Sequence, residues 1–182
     1  MRQAKVTPTG IERTFGAEEI IVSKTDTRGF ITYANDVFIR VCGYAEHELV
    51  GKPHSIIRHP EMPRCVFKLL WETIEAGDEI FAYVLNLAGD GAHYWVLAHV
   101  TPTFGPGDRI VGYHSNRRSP ARSAIRVVQP LYSELLREES RHARPSEAME
   151  ASTAVLLERL QAAGVSYEQF VWSITPETAG RS

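Results

Sequence analysis

The sequence predicts an α+β domain, a five-stranded antiparallel sheet with short helices on one face, continued by a helical C-terminal extension. Three observations carry this expectation. Two short apolar runs flank a turn at residues 25–29. Phe67, Leu70, Trp71 and Ile74 keep the i, i+3, i+4, i+7 spacing of one buried helical face. Three further strand-like runs lie between residues 80 and 117, separated by glycine-containing turns. The implied boundaries are a lead-in at 1–18, the sheet-bearing domain at 19–118 and the extension at 119–182.

The lead-in reads as flexible with a little local order. Ile20, Ile21 and Val22 lie in a first strand, and Thr25-Asp26-Thr27-Arg28-Gly29 supplies turn chemistry with a glycine free to take positive φ. Phe30 to Tyr33 makes the second strand of a hairpin. Asn35 is placed to cap a short helix over Asp36 to Val41, stopped at Gly43, and Ala45 to Val50 adds a further helical turn or two. Pro60 and Pro63 bracket an irregular stretch, with Pro63 in the first turn of the helix that carries Phe67 and Trp71. Gly77 ends that helix. Strands are expected over Ile80–Leu87, His93–Thr101 and Arg109–Asn116. Such a fold leaves a pocket between the sheet and the last helix.

After Pro120, Ile125, Val128, Leu131, Tyr132 and Leu135 keep a helical spacing that Pro130 interrupts. His142 to Pro145 reads as a linker. Ser146 to Ala163 is a second helical stretch with Met149, Leu156 and Leu160 on one side, and Tyr167, Phe170, Val171 and Trp172 form a last apolar cluster. Neither stretch can form a core alone, so they pack on the domain, on each other or on a partner.

Composition narrows the function. Hydrophobic residues at 43% with charged residues at 23% fit a globular chain with a core, and a formal net charge of -2 disfavours nucleic-acid binding. The arginines at 117, 118, 122 and 126 are followed by acids at 134, 138 and 139 and read as a solvated helix surface. Cys42 and Cys65 are the only cysteines and sit among apolar residues, which suits buried thiols in a reducing cytoplasm. No apolar run is long enough to span a bilayer.

The densest chemistry lies in His54-Ser55-Ile56-Ile57-Arg58-His59-Pro60-Glu61-Met62-Pro63. Arg58 is a permanent cation suited to a phosphate or carboxylate, and His59 can donate, accept or titrate. On local chemistry alone, the reading in which both simply satisfy loop carbonyls is slightly favoured. His93 and His99 share a strand face without a completing acid, so they make no metal set. Ser55, His59 and Glu61 lie too close along one loop for a triad, and no glycine-rich phosphate loop follows a strand. Enzymatic catalysis is therefore not expected.

The order of motifs resembles the PAS domains. Tyr33-Ala34-Asn35-Asp36-x-Phe38 followed by Cys42-Gly43-Tyr44 is similar to their opening. Gly51-Lys52-Pro53-His54-x-x-x-Arg58-His59-Pro60-Glu61-Met62-Pro63, then Phe67 and Leu70-Trp71, resembles the aerotaxis-receptor branch. Asn86, His93-Tyr94-Trp95-Val96 and Gly112-Tyr113-x-Ser115-x-Arg117 continue the likeness, which spans about Ile20 to Leu136.

The resemblance implies noncovalent FAD and the reporting of redox state or oxygen, as in chemotaxis and aerotaxis. By position it implies cofactor contacts from Asn35, Arg58, His59, Phe67, Trp71 and Asn86. Glu61 replaces the family's Asp, and the aromatic that the family carries near Ile80 is absent, with Phe81 as the available substitute. The branch continues into a membrane anchor and a coiled signalling domain, neither of which is expected for this chain. The resemblance thus implies a free-standing cytoplasmic sensor acting through homodimerisation or a separate signalling protein. A cofactor-free PAS interaction module is the alternative. Haem fits less well, since residues 67–74 offer no histidine.

Overall fold

The computed structural model describes residues 6–176; the first five residues of the lead-in and the last six of the extension lie outside the described residues. Strands β1 (Ile21–Thr25) and β2 (Ile31–Ala34) form the expected hairpin. Helices α1 (Asp36–Cys42) and α2 (Glu46–Leu49), a single 3-10 turn at His54–Ile57 and helix α3 (Arg64–Glu75) then cross to β3 (Ile80–Leu87). Strands β4 (His93–Phe104) and β5 (Ile110–Arg118) complete a sheet of order β2-β1-β5-β4-β3, antiparallel throughout.

Local chemistry explains several junctions. The Asn35 carboxamide caps α1 through the Phe38 amide at 3.0 Å, and the same oxygen accepts from the Val22 amide while its NH2 group donates to the Ile20 carbonyl. One side chain thus ties the start of α1 to β1. In the β1–β2 turn the Asp26 carboxylate accepts from the amides of Arg28 and Phe30, both at 2.9 Å. Gly29 closes that turn at φ +80°, and a Cβ there would stand 2.9 Å from the Trp71 ring. Both the left-handed backbone and the close approach require glycine.

The sheet alternates cleanly between its two faces. Val84 and Asn86, Ala98 and Val100, and Tyr113, Ser115 and Arg117 face inward towards α3, with Ser23 and Thr25 beside them on β1. Phe81, Tyr83, Trp95 and His99 occupy the opposite face. There α4 (Arg122–Glu139) and α6 (Tyr167–Ile174) pack, with Tyr132 donating to the Tyr83 carbonyl at 2.6 Å and Trp172 against Phe81. Helix α5 (Pro145–Ala163) packs on α3 and α4 instead, so the extension reaches both faces at the β3 edge. Its buried Tyr132, Leu135, Leu156, Leu160 and Val171 belong to the main core. At about 1.5–3 kcal/mol for each large apolar side chain fully buried, this docking is a substantial part of the fold.

Two expectations change. The described part of the lead-in is ordered: Arg13 and Thr9 donate from their amides to the carbonyls of His93 and Gly91, and Phe15 is buried. Helix α4 also runs unbroken through Pro130. The hydrogen bond that proline forgoes is offset by burial of Val128 and Tyr132 on either side.

Candidate functional site

Between α3 and the inner face of the sheet lies a cavity of about 740 Å³, within the range typical of small-molecule sites. Its walls are largely apolar, with Ile57, Phe67, Leu70, Trp71, Ile74, Val84, Ala98 and Val100 among the lining residues. The polar lining is one-sided. Arg28, Arg58, Arg64, Lys68 and Arg117 all border the cavity, and among the described residues no aspartate or glutamate does.

Arg58 sits at the end of the 3-10 turn, where its backbone bridges that of Asn86 on β3. The guanidinium carbon lies 4.2 Å from the centre of the Phe67 ring, a cation–π contact that anchors it beside the start of α3. Burial lowers its pKa, neighbouring Arg64 adds to the effect and Glu139 opposes it. Trp71, one helical turn on, meets Tyr113 edge to face with centroids 5.5 Å apart. Asn86 is 3% exposed, and its side-chain Nδ2 has no hydrogen-bond partner among the described residues.

The inner end is built by residues whose role the sequence does not announce. Arg117, read there as solvated, is 2% exposed on β5. Strand alternation from Tyr113 and Ser115 turns it inward, whereas its neighbour Arg118 is exposed. Its Nη2 donates to the Ser23 hydroxyl, and its guanidinium carbon lies 4.4 Å from the Phe38 ring centre. Nε and Nη1 have no hydrogen-bond partner among the described residues. Burial pulls its pKa down to about 10, which leaves it a cation at neutral pH. His54 approaches the same hydroxyl at 3.3 Å and stacks on Phe38. Burial, reinforced by the charge of Arg117, lowers the His54 pKa to about 3, so the imidazole is neutral.

Of the six residues proposed from the sequence, Arg58, Phe67, Trp71 and Asn86 line the cavity together. Asn35 and His59 do not. The Asn35 carboxamide is committed to α1 and β1, as described above. His59 is 4% exposed, accepts from the Glu61 amide at 3.1 Å through Nδ1 and faces His93 edge-on. Burial is the main cause of its lowered pKa. Phe81 is no substitute for the missing aromatic near Ile80, because it stacks on His99 across the outer face, 4.1 Å between centroids. Ile80 itself is buried in the core and does not border the cavity. Among the described residues no cluster of three or more metal-ligating side chains occurs, and no helix is long and apolar enough to cross a membrane.

The family described as PAS fold matches residues 19–115. The aerotaxis receptor of Escherichia coli (strain K12) is 41% identical over 115 residues, 63% of this chain and 22% of that protein. The nitrogen fixation regulatory protein of Klebsiella pneumoniae is 29% identical over 99 residues, 54% of this chain and 20% of that one. The chain therefore spans about a fifth of the length of these relatives. Among solved structures, the dark structure of the blue-light photoreceptor Aureochrome1 LOV superposes with a TM-score of 0.55 at 24% identity, covering 63% of this chain and 86% of that one. That likeness shows the fold.

Proposed function

This chain belongs to the PAS family, and from that premise we propose that it is a sensory module whose cavity binds a flavin, FAD, and reports redox state or oxygen to a signalling partner. One observation carries the proposal. The cavity is apolar and large, yet it presents buried donors that nothing among the described residues accepts from: Arg117 Nε and Nη1, and the Asn86 side-chain NH2. Orphaned buried donors are costly, at about 1–3 kcal/mol each and more for a charged group, and a ligand that accepts from them removes that cost. A flavin fits the chemistry of the set. Its ring system offers acceptors on a flat apolar body, its diphosphate matches the basic rim, and a lining without carboxylates repels neither. The likeness to the aerotaxis receptor points the same way.

In this reading Phe67, Trp71, Val84, Ala98 and Val100 exclude water from the ring. Asn86 and Arg117 would orient it, and Arg58, anchored on the Phe67 ring, would hold phosphate. The flavin supplies reversible electron transfer with a change in ring charge and protonation. Arg117, a buried cation, favours added negative charge beside it, and neutral His54 and Ser23 can adjust their hydrogen bonds in response. The proposal takes the chain to be a non-catalytic cytoplasmic sensor that works as a homodimer. Two buried free thiols accord with the reducing compartment.

The test is the absorption spectrum of the purified full chain before and after incubation with FAD and gel filtration. Retention of the two oxidised-flavin bands with the protein peak is the expected result. A folded but colourless protein that takes up no FAD would overturn the proposal and leave the cofactor-free interaction module.

A further inference from the structure

The cavity is not closed by the PAS domain alone. Pro145, Ser146 and Met149, all from the first turns of α5, line it beside Arg64 and Lys68 of α3. The helical extension is thus part of the wall.

Its attachment there is specific. Glu139, at the end of α4, is 9% exposed. One of its carboxylate oxygens accepts from the backbone amide of Arg64, the first residue of α3, at 2.5 Å, and from the Ser152 hydroxyl of α5 at 3.0 Å. The other oxygen lies 3.6 Å from Arg64 Nε. Helix α3 has no side-chain cap of its own, because Pro63 precedes it. Glu139 therefore acts as its cap from a distant part of the chain, and a carboxylate at a helix N-terminus is favoured by the helix dipole as well. One buried carboxylate joins α3, α4 and α5 at the cavity mouth. The single Ser152 O–H is shared between Glu139 and the Met149 carbonyl at 3.1 Å, linking the latch to a lining residue one turn away.

From this geometry we infer that α5 is a working wall of the ligand site, and that the Glu139 latch couples occupancy of the cavity to the docking of the extension. The inference rests on the flavin reading given above. A ligand in the cavity adds contacts to Ser146 and Met149 and draws Arg64 and Lys68 towards its phosphates, while the Arg64 amide remains with Glu139. Undocking α5 must then break ligand contacts as well as the latch, so the ligand stabilises the docked state by linkage. By reciprocity, undocking α5 weakens ligand binding by the same factor, and loosening the latch does so to the extent that it undocks α5. The extension is then the element through which the state of the pocket reaches a partner.

Hydrogen exchange on the full chain, with and without saturating FAD, tests the inference. Amides of residues 146–156 are expected to slow when FAD binds. Glu139→Ala removes the acceptor from both Arg64 and Ser152. It is expected to speed exchange in the same segment and to weaken FAD by roughly 5- to 10-fold, the low end of ordinary coupling. Glu139→Gln keeps an acceptor oxygen without the charge; it should fall between the two and stands in if the alanine variant fails to fold. If FAD is retained but exchange over 146–156 is unchanged, α5 is a passive neighbour and the inference is overturned, while the flavin reading stands. If FAD is not taken up, both fall together.

Discussion

Arg117 and Arg58 border one cavity from different walls, and their surroundings assign them different work. Arg58 is half-buried on a loop, stacked on Phe67, with a weak bond to the Met62 carbonyl at 3.4 Å and Arg64 close by. Arg117 is fully enclosed on a strand, with one nitrogen on Ser23 and two without a partner among the described residues. Neither has a carboxylate partner among the described ion pairs. Charge near solvent is screened and attracts a ligand at long range, whereas charge in the interior is felt at close range and at close to full strength. The rim therefore suits capture of a phosphate, and the inner end suits discrimination of what reaches it.

The sharpest way to break this distinction is Arg117→Met, which keeps length and apolar bulk but removes the charge. It should weaken FAD binding roughly 10- to 100-fold, the equivalent of about 1.5–3 kcal/mol for a hydrogen bond to a charged group. The ligand-free protein should melt at the same temperature or higher, since an apolar replacement for an uncompensated buried charge is often neutral or stabilising. Equilibrium titration with FAD and thermal melts of the free protein check both halves. A large loss of apo stability with unchanged affinity would make Arg117 a structural residue.

His54 sharpens the same end by pH. Its folded pKa of about 3 lies below the ordinary value of about 6.5, so between these values the unfolded chain holds a proton that the folded one refuses. Stability from this group is complete above about pH 6.5 and declines as pH falls towards 3. At pH 5 the deficit is about 2 kcal/mol. Urea denaturation at pH 7 and pH 5 should show that loss in the native protein and much less of it in His54→Gln. Equal losses in the two proteins would mean that His54 takes up its proton in the folded state without penalty.

Why one end was legible in the sequence and the other was not follows from the physics of each. Phe67 and Trp71 repeat at helical spacing, and Arg58 stands in a proline-bracketed run, so local pattern exposes them. Asn35 carries a cap signal three residues before Phe38, and capping is what its side chain does here. Arg117 lies in the polar run His114-Ser115-Asn116-Arg117-Arg118, which reads as surface by composition. Only the two-residue alternation from Tyr113 through Ser115 hints that it points inward. The five strands and α3 were legible because their apolar periods are strong. The contribution of α5 to the wall was not, because it depends on how the chain turns at 140–144 and on a hydrogen bond between Arg64 and Glu139, 75 residues apart. No local pattern encodes such a contact.

At the rim the expected effect is smaller and of a different kind. Arg58→Ala should lower FAD affinity about tenfold through loss of one charge-assisted contact, with the fold retained. Its diagnostic feature is salt dependence. Because Arg58 reaches solvent, raising ionic strength should weaken FAD binding in the native protein, and the slope against salt should flatten in Arg58→Ala. In Arg117→Met the slope should persist even though binding is weaker overall, because the screened contacts at the rim are intact. Parallel FAD titrations at low and high salt in the three proteins separate the two ends. If both variants flatten the slope equally, the cavity is a single diffuse basic field, and the division between capture at the rim and discrimination at the inner end is wrong.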